Sequence, residues 1–244
     1  MGKPQRQSSS RSRLPRTLDI LYEDDAVVAI DKPAGLPAVP VPGSNAPSAF
    51  SLLSAALKAR RQRAVVVHRI DRFTSGILLF AKSERDKDAL VRQFLAHTPV
   101  RQYLALVRGR MSSKEGTLIH YFRKEGMFQK LSRENDSNAA RAELRFSVER
   151  SFPGASLVRI TLVTGLQNQI RVQFSAISHP VIGDRKYHPA EAEERRIGRV
   201  ALHASHLEFV QPRTAQRISV DCDPPADFRS LLQSLSPRAP RRPS

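Results

Sequence analysis

A single cysteine, Cys222, stands in 244 residues, so the chain cannot form an internal disulfide or a zinc site built from several thiolates. That fits a reducing compartment, and Cys222 itself reads as an inert core or strand residue. No run of about 18 apolar residues occurs, which excludes an apolar membrane-spanning helix. The N-terminus carries Arg and Ser where a secretory signal needs an apolar core. The expectation is a soluble, cytoplasmic protein off the membrane. No glycine-rich loop of the Walker or dinucleotide type appears, and Ser75-Gly76 lacks the flanking glycines of a nucleophile elbow. His203 and His206, the pair closest in sequence, point to opposite faces if they lie on a strand, so a shared metal is not expected.

Acidic residues are also scarce. Forty Lys and Arg against 23 Asp and Glu leave a net charge of +17, which points to a polyanionic partner. Five basic residues in 1–16 and three arginines in 237–244 account for only eight of these charges, so the body is basic in its own right. Residues 1–16 hold too little apolar surface to order themselves and read as a flexible basic arm; 237–244 reads as a basic tail. Between them, 17–236 can bury the core of one domain.

Apolar runs at 18–22 and 26–30, joined by Glu23-Asp24-Asp25, predict a hairpin. Ser48 is placed to cap a helix ending near Ala59, and Ser83 one ending near Ala96. Val65-Val66-Val67 and Gly76 to Ala81 predict strands on either side of a polar turn. Further strands are expected at 102–108, 117–122, 141–149, 156–163, 200–210 and 216–221, with helices at 167–177 and 225–235. So many strands with few helices between them suggest an antiparallel-rich sheet. The polar segments 124–140 and 189–196 read as mobile loops.

The turn between the two apolar strands holds Arg69-Ile70-Asp71-Arg72, a carboxylate between arginines. Loops on a rigid sheet often carry catalytic groups. Asp before Thr, Ser and Gly also commonly closes a turn through its own side chain, and spacing alone favours that simpler role for Asp71.

The longer segment His68-Arg69-Ile70-Asp71-Arg72-Phe73-Thr74-Ser75-Gly76-Ile77-Leu78-Leu79-Phe80-Ala81-Lys82 resembles the signature HRLDxxTSGLLLxAK of the RluA-type pseudouridine synthases. Three more segments match in the family's order: Asp31-Lys32-Pro33-Ala34-Gly35 resembles NKPAG, Arg101 to Val107 resembles KxYLALV, and Leu202-His203-Ala204 with Leu207 and Phe209 resembles LHAxxLxF. One segment departs. Where the family usually reads TGRTHQIRVH, residues 164–173 carry Leu166, Asn168 and Gln173 in place of Arg and two His, while Gln169 to Val172 are kept.

The resemblance implies a single α+β pseudouridine-synthase-like domain over 17–236, with an antiparallel-rich mixed central sheet, flanking helices and a central catalytic cleft, and no S4-type domain ahead of it. It implies an isomerase that converts uridines in structured RNA, rRNA or tRNA, to pseudouridine by flipping the base out, without cofactor or metal, and acting as a monomer. Asp71 would be the nucleophile. Arg171 would supply its opposing charge, and Arg171→Met is expected to fold but lose activity. Tyr103 would stack on the uracil. Arg69 would assist the flipped nucleotide or pair with RNA phosphate. The altered 164–173 segment leaves a second reading, a catalytically impaired RNA-binding or ribosome-assembly protein on the same fold.

Overall fold

The computed structural model describes residues 18–126, 128–188 and 197–236. The expected arm at 1–16, the loop at 189–196 and the tail at 237–244 lie outside the described residues. β1 (Asp19–Glu23) and β2 (Val27–Lys32) form the expected hairpin. Asp24 closes its turn by accepting from the backbone N–H groups of Ala26 and Val27, each at 2.8 Å. Glu23, at the end of β1, pairs with Lys82 at 2.6 Å and Arg60 at 2.8 Å.

α1 (Ala49–Ala59) starts at Ser48, whose side chain and that of Ser51 exchange hydrogen bonds with each other's backbone N–H in a reciprocal cap. It buries Leu53 and Leu57, each contributing roughly 1.5–3 kcal/mol. β3 (Val65–Val66) and β4 (Ser75–Ala81) flank the Asp71 turn. Every residue of β4 is buried, which explains its unbroken apolar run. α2 (Glu84–Leu95) is capped by Ser83, and β5 (Val100–Arg108) follows it.

The segment expected to be a loop at 124–140 is partly sheet. β6 (Glu115–Glu125) runs on to Glu125, and β7 (Phe128–Ser132) folds back on it from Tyr121↔Ser132 to Glu125↔Phe128. Gly126, at φ 59°, makes the reversal. The outer part of this ribbon is exposed, so no alternation of apolar and polar residues marks it as a strand. β8 (Ala140–Phe152), β9 (Ala155–Leu162), α3 (Gln169–Ala176), β10 (Leu202–Val210), β11 (Arg217–Asp221) and α4 (Ala226–Leu235) complete the domain.

The sheet runs β1-β2-β4-β10-β5-β9-β8-β6-β7, with β3 also on β4 and β11 also on β10. Among the described residues only β4 and β10 pair in parallel, at His203↔Ser75 and Ala204↔Gly76. The expected antiparallel-rich mixed sheet is therefore present. Gly76, at φ 103°, makes that parallel contact possible: a Cβ there would lie 2.2 Å from the Ala204 carbonyl oxygen. The junction also buries His203. Its Nε2 faces the Cys222 carbonyl at 2.9 Å, so Nε2 carries the proton and Nδ1 accepts from the Ser75 hydroxyl at 3.0 Å. His206 faces Asp221 instead, so the two histidines share no site. Cys222 is buried, and burial is the main force pushing its thiol up to about 12. No helix among the described residues is long and apolar enough to cross a membrane.

Candidate active site

The turn that carries Asp71 is braced from below. Gly35 N–H donates to the Arg72 carbonyl at 2.8 Å, and Arg72 Nε returns a bond to the Gly35 carbonyl at 2.9 Å. Lys32 has no exposed surface, and its ammonium donates to the carbonyls of Pro33, Leu36 and Arg72 at 2.9, 2.9 and 3.1 Å. Burial pulls the Lys32 pKa down to about 7, against the attraction of Asp71. Thr74 N–H closes the turn on the Asp71 carbonyl at 3.1 Å. The backbone of Asp71 thus does serve a turn, which leaves its side chain free to point elsewhere.

That side chain faces a cavity of about 570 Å³, walled by the Asp71 turn, α2, β5 and the loop leading into α3. The sequence separates Asp71 and Arg171 by 100 positions, and the fold places Arg171 Nη1 3.4 Å from Asp71 Oδ2. Tyr103 also lines the cavity. Burial and then Asp71 push its hydroxyl up to about 12, with Arg101 pulling the other way, so it stays a neutral phenol at working pH. Arg69 lines the same cavity, exposed, and no hydrogen bond or ion pair holds it among the described residues. All four residues singled out from sequence therefore meet around one space.

Arg171 is held from behind by a residue that sequence reasoning missed. Asp184 is almost completely buried and accepts from Arg171 Nε and Nη2, both at 2.7 Å. Burial works against the arginine's charge, but Asp184, then Asp71, outweighs it and raises the pKa. Nothing near Asp184 in sequence signals this role, since its partner lies on another element. The Asp184 carboxylate also accepts from Lys186 and Tyr187 backbone N–H groups.

The three departures in 164–173 each have a place. Asn168 accepts from Arg171 Nη1 at 2.9 Å and donates to the Tyr187 hydroxyl at 3.0 Å, so it steadies the guanidinium that faces Asp71. Leu166 packs against the small cluster of Phe122, Ala142 and Val172. Gln173 is fully buried and donates to the Leu118 and Ala142 carbonyls, fixing α3 to the sheet. Gln169 ties the loop down from inside, accepting from Thr164 and Leu166 and donating to Glu143. No group of three or more metal-ligating side chains occurs among the described residues.

His68, also on the cavity wall, stacks on Phe94 with ring centroids 4.6 Å apart. Its Nε2 accepts from Leu79 N–H at 3.1 Å, so it is held neutral. Burial, then Arg101, pushes its pKa down to about 3. The unfolded chain takes up this proton below about 6.5 and the folded chain does not, so His68 lowers stability as pH falls from 6.5 toward 3. In His68→Gln that component is absent, and the gap between wild-type and variant urea midpoints narrows as the buffer is taken from pH 7 to 4. A constant gap would show that His68 does not titrate this way.

The family described as RNA pseudouridylate synthase matches residues 26–176. The chain belongs to that family, and its activity is the isomerisation of uridine in RNA to pseudouridine. It is 33% identical to the RNA pseudouridine synthase YlyB of Bacillus subtilis over 229 residues, covering 91% of this chain and 74% of that one. It is 30% identical over 230 residues to the ribosomal large subunit pseudouridine synthase D of Zymomonas mobilis, covering 89% and 73%. The fold matches the solved structure of human RNA pseudouridylate synthase domain containing 4, with a TM-score of 0.74 at 21% identity over 89% of this chain and 92% of that one.

Proposed function

We propose that this enzyme modifies structured RNA, and ribosomal RNA in particular, with Asp71 as nucleophile on a uridine flipped into the cavity. The observation that carries the reading is the Asp71 carboxylate in a 570 Å³ cavity with the Arg171 guanidinium 3.4 Å away. The cation lies within ion-pair distance of the carboxylate and holds it toward the cavity. Asp71 bonds to the sugar C1′ as the C1′–N1 bond breaks. The uracil turns, its C5 bonds to C1′ as the aspartyl bond breaks, C5 loses its proton and N1 gains one. Tyr103 supplies the ring on which the uracil stacks, and its neutral hydroxyl can donate to a base oxygen. Arg69, exposed at the cavity, fills the vacated stack or holds the flanking phosphate. The basic arm at 1–16 and the tail at 237–244 add phosphate contacts that weaken with salt. The enzyme acts as a monomer, in the cytoplasm. The Zymomonas mobilis relative is named for the ribosomal large subunit, which favours rRNA over tRNA as the substrate.

The test is tritium release. On unmodified large-subunit rRNA carrying 5-tritiated uridine, the wild-type protein is expected to release label stoichiometrically with one or a few sites, and to release none from tRNA transcripts. Release from tRNA alone would overturn the rRNA assignment.

A further inference from the structure

Among the described residues three buried arginines carry charge into this domain, and two of them are matched by carboxylates: Arg171 forks onto Asp184, and Arg199 onto Asp227 at 2.6 Å. The third, Arg101, is not. It is 8% exposed, its Nη2 donates to the Val163 carbonyl at 3.1 Å, and its guanidinium lies over the Phe94 ring at 5.8 Å. Its buried Nε has no partner, and no carboxylate pairs with it among the described residues. A cation held this way is costly unless something anionic answers it. One carbonyl and an aromatic face do not.

Arg101 lines the same cavity as Asp71 and Tyr103. The guanidinium packs closely on Gly165, where a Cβ would lie 2.5 Å from Arg101 Nη1. A purely structural arginine would account for the Val163 bond, but not for an orphaned Nε and an uncompensated charge beside the reacting groups.

The chemistry of the proposed reaction creates the missing anion. When C1′–N1 breaks, the bonding pair stays on the ring, and the uracil leaves as an anion with charge spread over N1 and the two carbonyl oxygens. Arg171 is already answered by Asp184, which takes its Nε and Nη2 and stays charged when Asp71 is bonded to the sugar. We propose that Arg101 is a further catalytic residue, whose guanidinium takes up the negative charge of the detached uracil ring while it turns. The charge passes back to Asp71 when C5 bonds to C1′ and the aspartyl bond breaks. This role rests on the reading that Asp71 drives uridine isomerisation.

The test varies the stability of the ring anion. Single-turnover rates are measured for wild type, Arg101→Gln and Arg101→Lys on the same rRNA fragment containing uridine or 5-fluorouridine, whose fluorine stabilises the anion. Loss of the parent nucleoside in RNA digests is the readout. Arg101→Gln is expected to slow the uridine reaction about 100-fold, to slow the 5-fluorouridine reaction far less, and to bind the RNA within threefold of wild type. Equal slowing on both substrates, or none, overturns the role. Should the Gln variant not fold, Arg101→Lys decides: it keeps a cation without the planar fork, and its smaller deficit must also shrink on 5-fluorouridine. A wild-type protein that forms no pseudouridine overturns the reading and this role together, whereas an active wild type with a fully active Arg101→Gln overturns this role alone.

Discussion

Asp71→Asn yields a folded protein whose rate of pseudouridine formation falls by on the order of 10⁴-fold or more, the scale seen when a covalent nucleophile is removed. The fold survives because little of it leans on this carboxylate. The Asp71 side chain keeps 21% of its surface exposed, and its bond to Arg171 is long at 3.4 Å. Arg171 retains Asp184 and Asn168 when the charge at 71 is lost. The turn itself is closed by the Asp71 backbone carbonyl and braced through Arg72, both unchanged by the substitution. Stability should therefore move by less than about 1 kcal/mol. Tritium release and urea denaturation on one preparation check both halves. Activity within about tenfold of wild type in the Asn variant would remove Asp71 as nucleophile.

The Asp71 turn was legible because it is framed by two strands whose burial dictates their composition. β4 lies in the middle of the sheet and reads as a continuous apolar run, so the polar residues before it had to be a loop. The two Ser-capped helices were legible for a similarly local reason, since a cap is written within four residues. Partners chosen across the fold were not legible. Lys32 is a charged residue with no exposed surface, held by carbonyls that include one 40 positions away. Asp184 and the unmatched charge of Arg101 likewise depend on which elements pack together, which no local spacing encodes. The outer part of the β6–β7 hairpin, beyond the strand expected at 117–122, was missed because residues 123–125 are all exposed and lack the two-residue alternation that betrays a half-buried strand.

The departures at 166, 168 and 173 looked from sequence like the weakest part of the case for an active enzyme. The structure gives each a place: Leu166 packs in a small apolar cluster, while Asn168 and Gln173 make polar contacts. Asn168 has both an acceptor and a donor, so one side chain bridges Arg171 and Tyr187. Gln173 reaches two backbone carbonyls from the inside of α3. Nothing in these contacts favours an impaired protein, since the guanidinium facing Asp71 remains oriented.

Arg171→Lys is expected to keep the fold and lose activity by about 10²–10³-fold. From sequence, Arg171→Met was the expected test, but the structure makes Met a poor choice. It would leave Asp184, 1% exposed, as an unpaired buried carboxylate, a defect worth on the order of 3–5 kcal/mol. Inactivity could then reflect unfolding. Lys keeps one positive charge for Asp184, which retains its two backbone donors as well. A single ammonium cannot also span to Asp71 as the planar fork does, with Nε and Nη2 on one carboxylate and Nη1 directed at the other. Asp71 would then face the cavity without the guanidinium that stands 3.4 Å from its carboxylate, while Asp184 keeps a cation, so the rate falls with the fold intact. Single-turnover rates and urea denaturation on one preparation check both halves, and a Lys variant within fivefold of wild type would deny Arg171 a role at Asp71.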